Sequence, residues 1–229
     1  MKQIFKLQTL QGTEDVTLDI SGIYNIGYAG RNQDVVRAHV DELKELGVAA
    51  PNHVPTIYPV GSKGICCEDS VEVYHDETSG EVEYALIVSG GRKYVTVGSD
   101  HSDRKLEAFS VPLAKAICPN MTCDTVWPFE EVEDHFDQIE MRSYVTKDGV
   151  RSLYQDGTLA EILGPADQTA LVEEFLGRKM ENEVIFSGTL PTKDGMVYGE
   201  RFEYEMVDPV LNRKLSGGYD LVRLPDPRD

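Results

Sequence analysis

Hydrophobic and polar positions alternate along most of this chain with the two-residue period of β-strands, and only a few stretches carry the longer period of a helix. Thr17-Leu18-Asp19-Ile20 alternates, so the first twenty residues read as one or two short strands. A further strand spans Ile23 to Ala29 and ends at Gly30. Asp34 then suits an N-cap for a helix from Val35 to Leu46, with Val36, Val40, Leu43 and Leu46 on one face and Gly47 as the stop. After Pro51 strand patterns dominate: Thr56-Ile57-Tyr58, Val71 to Tyr74, Glu81 to Val88, Arg92 to Gly98, Ile139 to Thr146 and Val150 to Gln155. Asp148-Gly149 between the last two is a strong hairpin signal. Leu106 to Lys115 fits either a short helix or an extended stretch, and Phe129 to His135 opens another segment. A second helix is expected over Asp167 to Gly177, followed by strands at Val184–Ser187, Gly199–Val207 and Leu221–Leu224.

This order of elements is β-dominated α+β, with long-range pairing and no βαβ rhythm. There are no repeats and no low-complexity linker, so one domain over residues 1–229 is expected. Residues 1–60 form a small N-terminal strand–helix segment in that reading, and 61–229 the strand-rich core.

The pattern singles out one hairpin. Gly90-Gly91 suits a two-residue turn between the strands at Glu81–Val88 and Arg92–Gly98. Ser89 then pairs with Arg92, and the same register sets Glu81 opposite Asp100. Glu83 lies two residues from Glu81 and shares its face. Directly opposed residues have Cβ atoms about 5 Å apart, so three carboxylates converge at the open end of the hairpin. Like charges so close need a proton or a cation between them, and an all-oxygen donor set suits Mg2+, Mn2+ or Ca2+. Two alternatives stand beside this: Glu81 and Glu83 only mark the solvated face of an edge strand, or a three-residue turn moves Asp100 to the other face.

Composition narrows the partners. Lysine and arginine number 22 against 40 aspartates and glutamates, a net charge of −18. A polyanion of this kind repels nucleic acid and anionic membrane, so neither is expected as a partner. The four cysteines, Cys66, Cys67, Cys118 and Cys123, match neither a zinc spacing nor a secreted disulfide framework. Met1-Lys2-Gln3-Ile4 is not followed by an apolar signal region, and no apolar run is long enough to span a bilayer. The expectation is a cytoplasmic protein with reduced thiols, Cys118 and Cys123 serving as packing residues.

Other candidates for chemistry lie outside the hairpin. His39 and Glu42, at i and i+3 on the expected helix, share a face, and a carboxylate beside an imidazole raises its basicity. Such a pair can act as a general base, or be a plain surface pair. Lys115 stands in apolar company, where an ammonium can neutralise an anionic substrate or an enolate, or merely snorkel. Gln155-Asp156-Gly157-Thr158 and Ser187-Gly188-Thr189 follow strands and carry donors for a carboxylate, though such stretches are often ordinary turns. Trp127 reads as core, and His101 and His135 have no defined partner.

In chain order these segments resemble the fumarylacetoacetate hydrolase superfamily over most of the sequence. Gly30-Arg31-Asn32 followed by His39-Val40-Asp41-Glu42 resembles its GRN segment and HxxE helix, Glu81-Val82-Glu83 its ExE metal motif, and Asp100-His101-Ser102-Asp103-Arg104 its DxSxR motif. Leu113-Ala114-Lys115, Gln155-Asp156-Gly157-Thr158 and Phe186-Ser187-Gly188-Thr189-Leu190-Pro191 resemble its later motifs. The resemblance implies a mixed β-roll or sandwich with a few short helices, bound Mg2+ or Mn2+ (Ca2+ as a stand-in in crystals), and a homodimer. It implies a hydrolase or lyase that cleaves a C–C bond in a small 2-oxo acid or related carboxylic acid through a metal-chelated enolate. In that reading Glu81, Glu83 and Asp100 ligate the metal, His39, Glu42 and Lys115 are catalytic, and Arg31, Asn32, Arg104, Gln155 and Thr189 bind the small anionic substrate. An isomerase or decarboxylase of the same fold, and a non-catalytic small-acid binding protein, are the alternatives. The chain departs from the family pattern in a longer stretch between Asn32 and His39, in Tyr58 before Pro59, and in Lys105 after Arg104. These departures imply a changed pocket around an intact metal motif.

Overall fold

The computed structural model describes residues 1–37, 40, 51, 53–61 and 65–225. In chain order the strands begin with β1 (Lys2–Thr9), β2 (Gly12–Asp19), β3 (Gly22–Gly27), β4 (Thr56–Gly61), β5 (Ile65–Cys66), β6 (Ser70–Val73) and β7 (Thr78–Ser79). The central hairpin is β8 (Val82–Ser89) and β9 (Arg92–Asp100), followed by β10 (Ser102–Asp103) and the short helices α1 (Arg104–Glu107) and α2 (Val111–Ile117). Next come β11 (Asn120–Thr122), β12 (Thr125–Pro128), β13 (Glu140–Lys147) and β14 (Val150–Thr158), then helix α3 (Pro165–Leu176) and β15 (Asn182–Phe186). The chain closes with β16 (Arg201–Asp208) and β17 (Arg213–Arg223).

Two large sheets result, in a β-dominated α+β architecture. One runs β2-β1-β12-β9-β8-β15-β3-β4, with β11 paired to β9 and β5 paired to β11; the other runs β14-β13-β16-β17-β6. The β8–β9 hairpin lies at the middle of the first sheet, and every residue of β8 is buried. This corrects the edge-strand alternative: a continuous apolar run in place of alternation is the signature of a strand covered on both faces. On one face Val82, Tyr84, Leu86, Val95 and Val97 pack with side chains of β13, β16 and β17. On the other, Ala85, Ile87 and Tyr94 pack with Phe5, Leu18 and Val184 in a second core. The backbone N–H of Asp19 in β2 also donates to Ser89 Oγ at the hairpin turn (2.9 Å).

The turn itself explains the register. Gly90 and Gly91 both have positive φ, 58° and 77°, as a type I′ turn requires. Ser89 therefore pairs with Arg92, and the ladder runs unbroken to Val82 opposite Ser99. Asp148-Gly149 makes the second such hairpin, with φ of 52° and 73°, between β13 and β14.

Other expectations shift. Residues 33–37 are helical, but the cap is Asn32, whose Oδ1 accepts from Val35 N (3.3 Å), and not Asp34. His39 and Glu42 lie outside the described residues. The stretch Leu106–Lys115 runs from the end of one short helix into most of another, with residues 108–110 between them. The last strand is far longer than Leu221–Leu224, because Gly217-Gly218 does not break it; these glycines pair with Tyr204 and Glu203 of β16. Trp127 is fully buried, Cys118 and Cys123 are buried, and all four cysteines are free. Among the described residues no helix is long and apolar enough to cross a membrane.

Candidate metal centre

The hairpin register fixes the site. Beyond the last ladder pair, Asp100 N donates to Glu81 O (3.1 Å), which sets Glu81 and Asp100 opposite each other at the open end. One carboxylate oxygen from each of Glu81, Glu83 and Asp100 can be chosen so that all lie within 4.8 Å of one another. Glu83 and Asp100 are buried and Glu81 is partly exposed. Glu81 and Glu83 border a cleft of about 540 Å3 whose lining also includes Lys115, Gly188, Thr189 and Tyr58.

Two residues clamp the strand that carries the glutamates. Gln155 Oε1 accepts from Val82 N (3.0 Å) and from Ser143 Oγ (2.8 Å). Its Nε2 donates to Thr189 Oγ1 (2.7 Å) and Leu190 O (2.6 Å), while Thr189 Oγ1 donates to Val82 O (2.8 Å). Val82 lies between Glu81 and Glu83, so both its backbone groups are tied down where the two ligand candidates diverge. The Gln155 amide spends both hydrogens and both acceptor sites on this clamp. Gly188 adds the third constraint: its N–H donates to Glu83 Oε2 (3.1 Å). It has φ of 80°, and a Cβ there would come within 2.7 Å of Ile26 O and of Ala29 Cβ, so only glycine fits.

Two cations meet the carboxylates. Lys115, brought in by α2, is buried and donates to Asp100 Oδ2, with Glu81 Oε2 at 3.6 Å. Arg104 bonds Glu81 Oε1 (3.0 Å), Glu107 Oε2 (2.8 Å) and Ser79 Oγ (2.7 Å). Burial works against the charge of Lys115, but Asp100, Glu81 and Glu83 outweigh it and hold the ammonium above its ordinary range. Burial would also raise Glu81, yet Arg104 and Lys115 pull it below the ordinary carboxylate range. Glu83 makes no direct ion pair with either cation: burial, with Asp100 adding, outweighs the pull of Lys115 and drives it well above that range. Asp100 is raised by burial against the opposing pull of Lys115.

The charge deficit thus falls on Glu83 and Asp100. Asp100 Oδ1 is buried and without a hydrogen-bond partner, a costly condition for an anionic oxygen. With Glu107, four carboxyl groups share two cations, and one divalent ion would balance them. An all-oxygen donor set, an unpartnered carboxylate oxygen and that deficit fit a hard cation.

A hydrogen-bonded chain that sequence reading missed lies behind the site. Tyr219 Oη is 2.9 Å from Ser99 Oγ and 2.9 Å from His101 Nδ1, so one hydroxyl holds both neighbours of Asp100. Ser99 Oγ in turn accepts from Glu81 N (3.2 Å). Burial, with Arg104 adding, pushes His101 down to about 3, so its ring is neutral. No local signal points to Tyr219, which comes from the last strand.

The remaining sequence candidates lie elsewhere. Arg31 forms a two-pronged ion pair with Asp137 (2.6 and 2.7 Å) and bonds Ile162 O (3.0 Å). Asn32 caps the helical turn. Both line a neighbouring cleft rather than the one at the carboxylates. His135 bonds Asp208 (3.0 Å), away from the site.

Comparison with known proteins gives the same picture of the fold. Residues 26–219 match the family described as "Protein of unknown function (DUF2848)". The chain belongs to that family. No curated protein matches its sequence. Among solved structures it resembles 2-keto-3-deoxy-D-arabinonate dehydratase complexed with magnesium and 2,5-dioxopentanoate, at 13% identity and TM-score 0.62 over 95% of this chain and 79% of that one. It resembles a protein assigned to the fumarylacetoacetate hydrolase family from Yersinia pestis CO92, at 16% identity and TM-score 0.60 over 95% and 100%. It also resembles 5-carboxymethyl-2-hydroxymuconate delta-isomerase from Mycobacterium smegmatis, at 15% identity and TM-score 0.58 over 99% and 100%. At these identities the likeness shows a shared fold, that of the fumarylacetoacetate hydrolase superfamily.

Two outcomes test the site. A carboxyl whose folded pKa is raised contributes stability below its unfolded pKa, about 4.3, and loses it as pH climbs through the folded value. In EDTA, wild type should therefore lose stability relative to Glu83→Gln as pH climbs above that unfolded value. Saturating Mn2+ should reverse the order at the higher pH, raising the wild-type melting temperature by about 5–10 °C and the variant's little. Melts that do not respond to Mn2+ would contradict the site. Separately, Tyr219→Phe should weaken Mn2+ binding by about 10–100-fold. A variant that melts lower yet binds Mn2+ as wild type does would reduce Tyr219 to a packing residue.

Proposed function

We propose that this protein is a divalent-metal-dependent hydrolase or lyase that cleaves a C–C bond in a small 2-oxo acid or related carboxylic acid. The observation that carries the reading is the carboxylate trio, two of its members buried, with the unpartnered Asp100 Oδ1, beside a cleft that Glu81, Glu83 and Lys115 line. Glu81, Glu83 and Asp100 would hold Mg2+ or Mn2+. The ion, when bound, supplies Lewis acidity that polarises a substrate carbonyl and stabilises negative charge developing on its oxygen.

The chain's own residues supply the rest. Arg104 fixes the Glu81 carboxylate, and Gln155 and Thr189 fix the backbone between the two glutamates. Thr189 also stands in the cleft wall. Lys115, itself buried, carries its charge to the wall of the cleft, where it can meet a substrate carboxylate or the charge that builds up as the bond breaks. His39, oriented by Glu42, is the proposed base; the assignment rests on their helical spacing. Arg31 and Asn32 are proposed as substrate-binding residues on the resemblance, although Arg31 is paired with Asp137 and Asn32 caps the turn at Val35. We place the protein in the cytoplasm on its four free cysteines and, on the likeness of fold alone, read it as a homodimer.

The second reading is an isomerase or decarboxylase that needs no activated water. The likeness to a delta-isomerase favours it.

Mn2+-loaded protein should turn over at least one member of a panel of acylpyruvates and short 2-oxo acids followed by NMR. His39→Ala should lose about 100–10,000-fold of that rate. Solvent 18O in the product marks a hydrolase, and its absence marks the second reading. A metal-loaded protein inert to the whole panel, or full activity in His39→Ala, would contradict the assignment.

A further inference from the structure

A second cleft, of about 740 Å3, adjoins the one at the carboxylates, and the two share Tyr28, Tyr58 and Val111 in their linings. Their chemistry differs. The first holds Glu81, Glu83, Glu107 and Lys115. The second is walled by Val54, Ile57, Leu171 and Phe175, and among the described residues Glu174 is its one carboxylate.

Tyr58 and Tyr28 form the junction. The Lys115 ammonium lies 5.9 Å from the centre of the Tyr58 ring, so that ring has the charged site on one side and the apolar cleft on the other. Tyr58 lies close against the β3 backbone, where a Cβ on Gly27 would meet its Cε2 at 2.7 Å. Tyr28 has φ of 59°, a left-handed conformation rare for a bulky side chain and concentrated at ligand sites. Phe175 projects from α3 with 53% of its surface exposed, touching Tyr24 edge-on at 6.1 Å. With Val54, Ile57 and Leu171 it makes the second cleft a mostly apolar recess beside a charged site, the form that small-molecule sites take.

We propose that the substrate is a 2-oxo acid bearing an uncharged apolar or aromatic tail, its head at the carboxylate cleft and its tail lying past Tyr28 and Tyr58 in the second cleft. This rests on the metal-dependent 2-oxo acid reading and deepens it. Glu174 disfavours a carboxylate on the tail, so the acid group belongs at the Lys115 end.

Oxamate, a stable mimic of a 2-oxo acid head, separates head from tail. Its affinity for the Mn2+-loaded protein is measured beside that of N-methyl, N-benzyl and N-(2-phenylethyl) oxamates. At least one aromatic derivative should bind about tenfold or more tighter than oxamate, and that gain should shrink towards one in Phe175→Asp and in Leu171→Asn. Binding of oxamate by each variant shows that it is folded. If oxamate itself fails to bind wild type, the 2-oxo acid reading falls and the tail proposal with it. If oxamate binds but no aromatic derivative gains, or the gain survives both substitutions, the tail proposal alone is overturned, and something other than substrate covers the second cleft.

Discussion

Three carboxylates held within 4.8 Å of one another, two of them buried, repel strongly in a medium that screens charge poorly. The rest of the site is arranged around that repulsion. Lys115 and Arg104 are driven into the interior against the cost of burying a cation, and each is held there by the carboxylates it faces. They satisfy Glu81 and one oxygen of Asp100, leaving Glu83 and Asp100 Oδ1 short of positive charge. A protonated Glu83 relieves part of the deficit, and a divalent cation relieves all of it.

Such an arrangement survives only on a rigid support. The hairpin is buried on both faces and lies at the middle of its sheet. Its turn is set by two glycines, its open end by the Gln155–Thr189 clamp, and its rear by Tyr219. Each device fixes a different degree of freedom: the register, the path of the backbone between Glu81 and Glu83, and the positions of the residues flanking Asp100. Removing one leaves like charges held by fewer constraints, which couples stability to metal binding.

The hairpin and its register were legible in the sequence because a two-residue glycine turn and a two-residue side-chain period together leave one alignment. The partners of the cluster were legible only as residue types. Lys115 could be seen as a cation in apolar company, but its contact with Asp100 depends on where α2 packs. Gln155 and Thr189 could be seen as polar groups after strands; that they grip Val82 depends on pairing between distant strands. Tyr219 was invisible, since its bonds to Ser99 and His101 span 120 and 118 residues. The strand that carries it was masked by Gly217-Gly218, which imitates the turn signal that identified the central hairpin. The edge-strand alternative fell because the apolar run from Tyr84 to Val88 belongs to a strand covered on both faces.

The central claim is that the trio is a cation site. The most direct test is a crystal of the protein soaked in Mn2+ and measured at a wavelength where manganese scatters anomalously. An anomalous peak within coordination distance of Glu81, Glu83 and Asp100, about 2.0–2.3 Å from their oxygens, is the result the account predicts. Ordered density for the three side chains with no anomalous peak between them, and Lys115 alone neutralising the cluster, would contradict it.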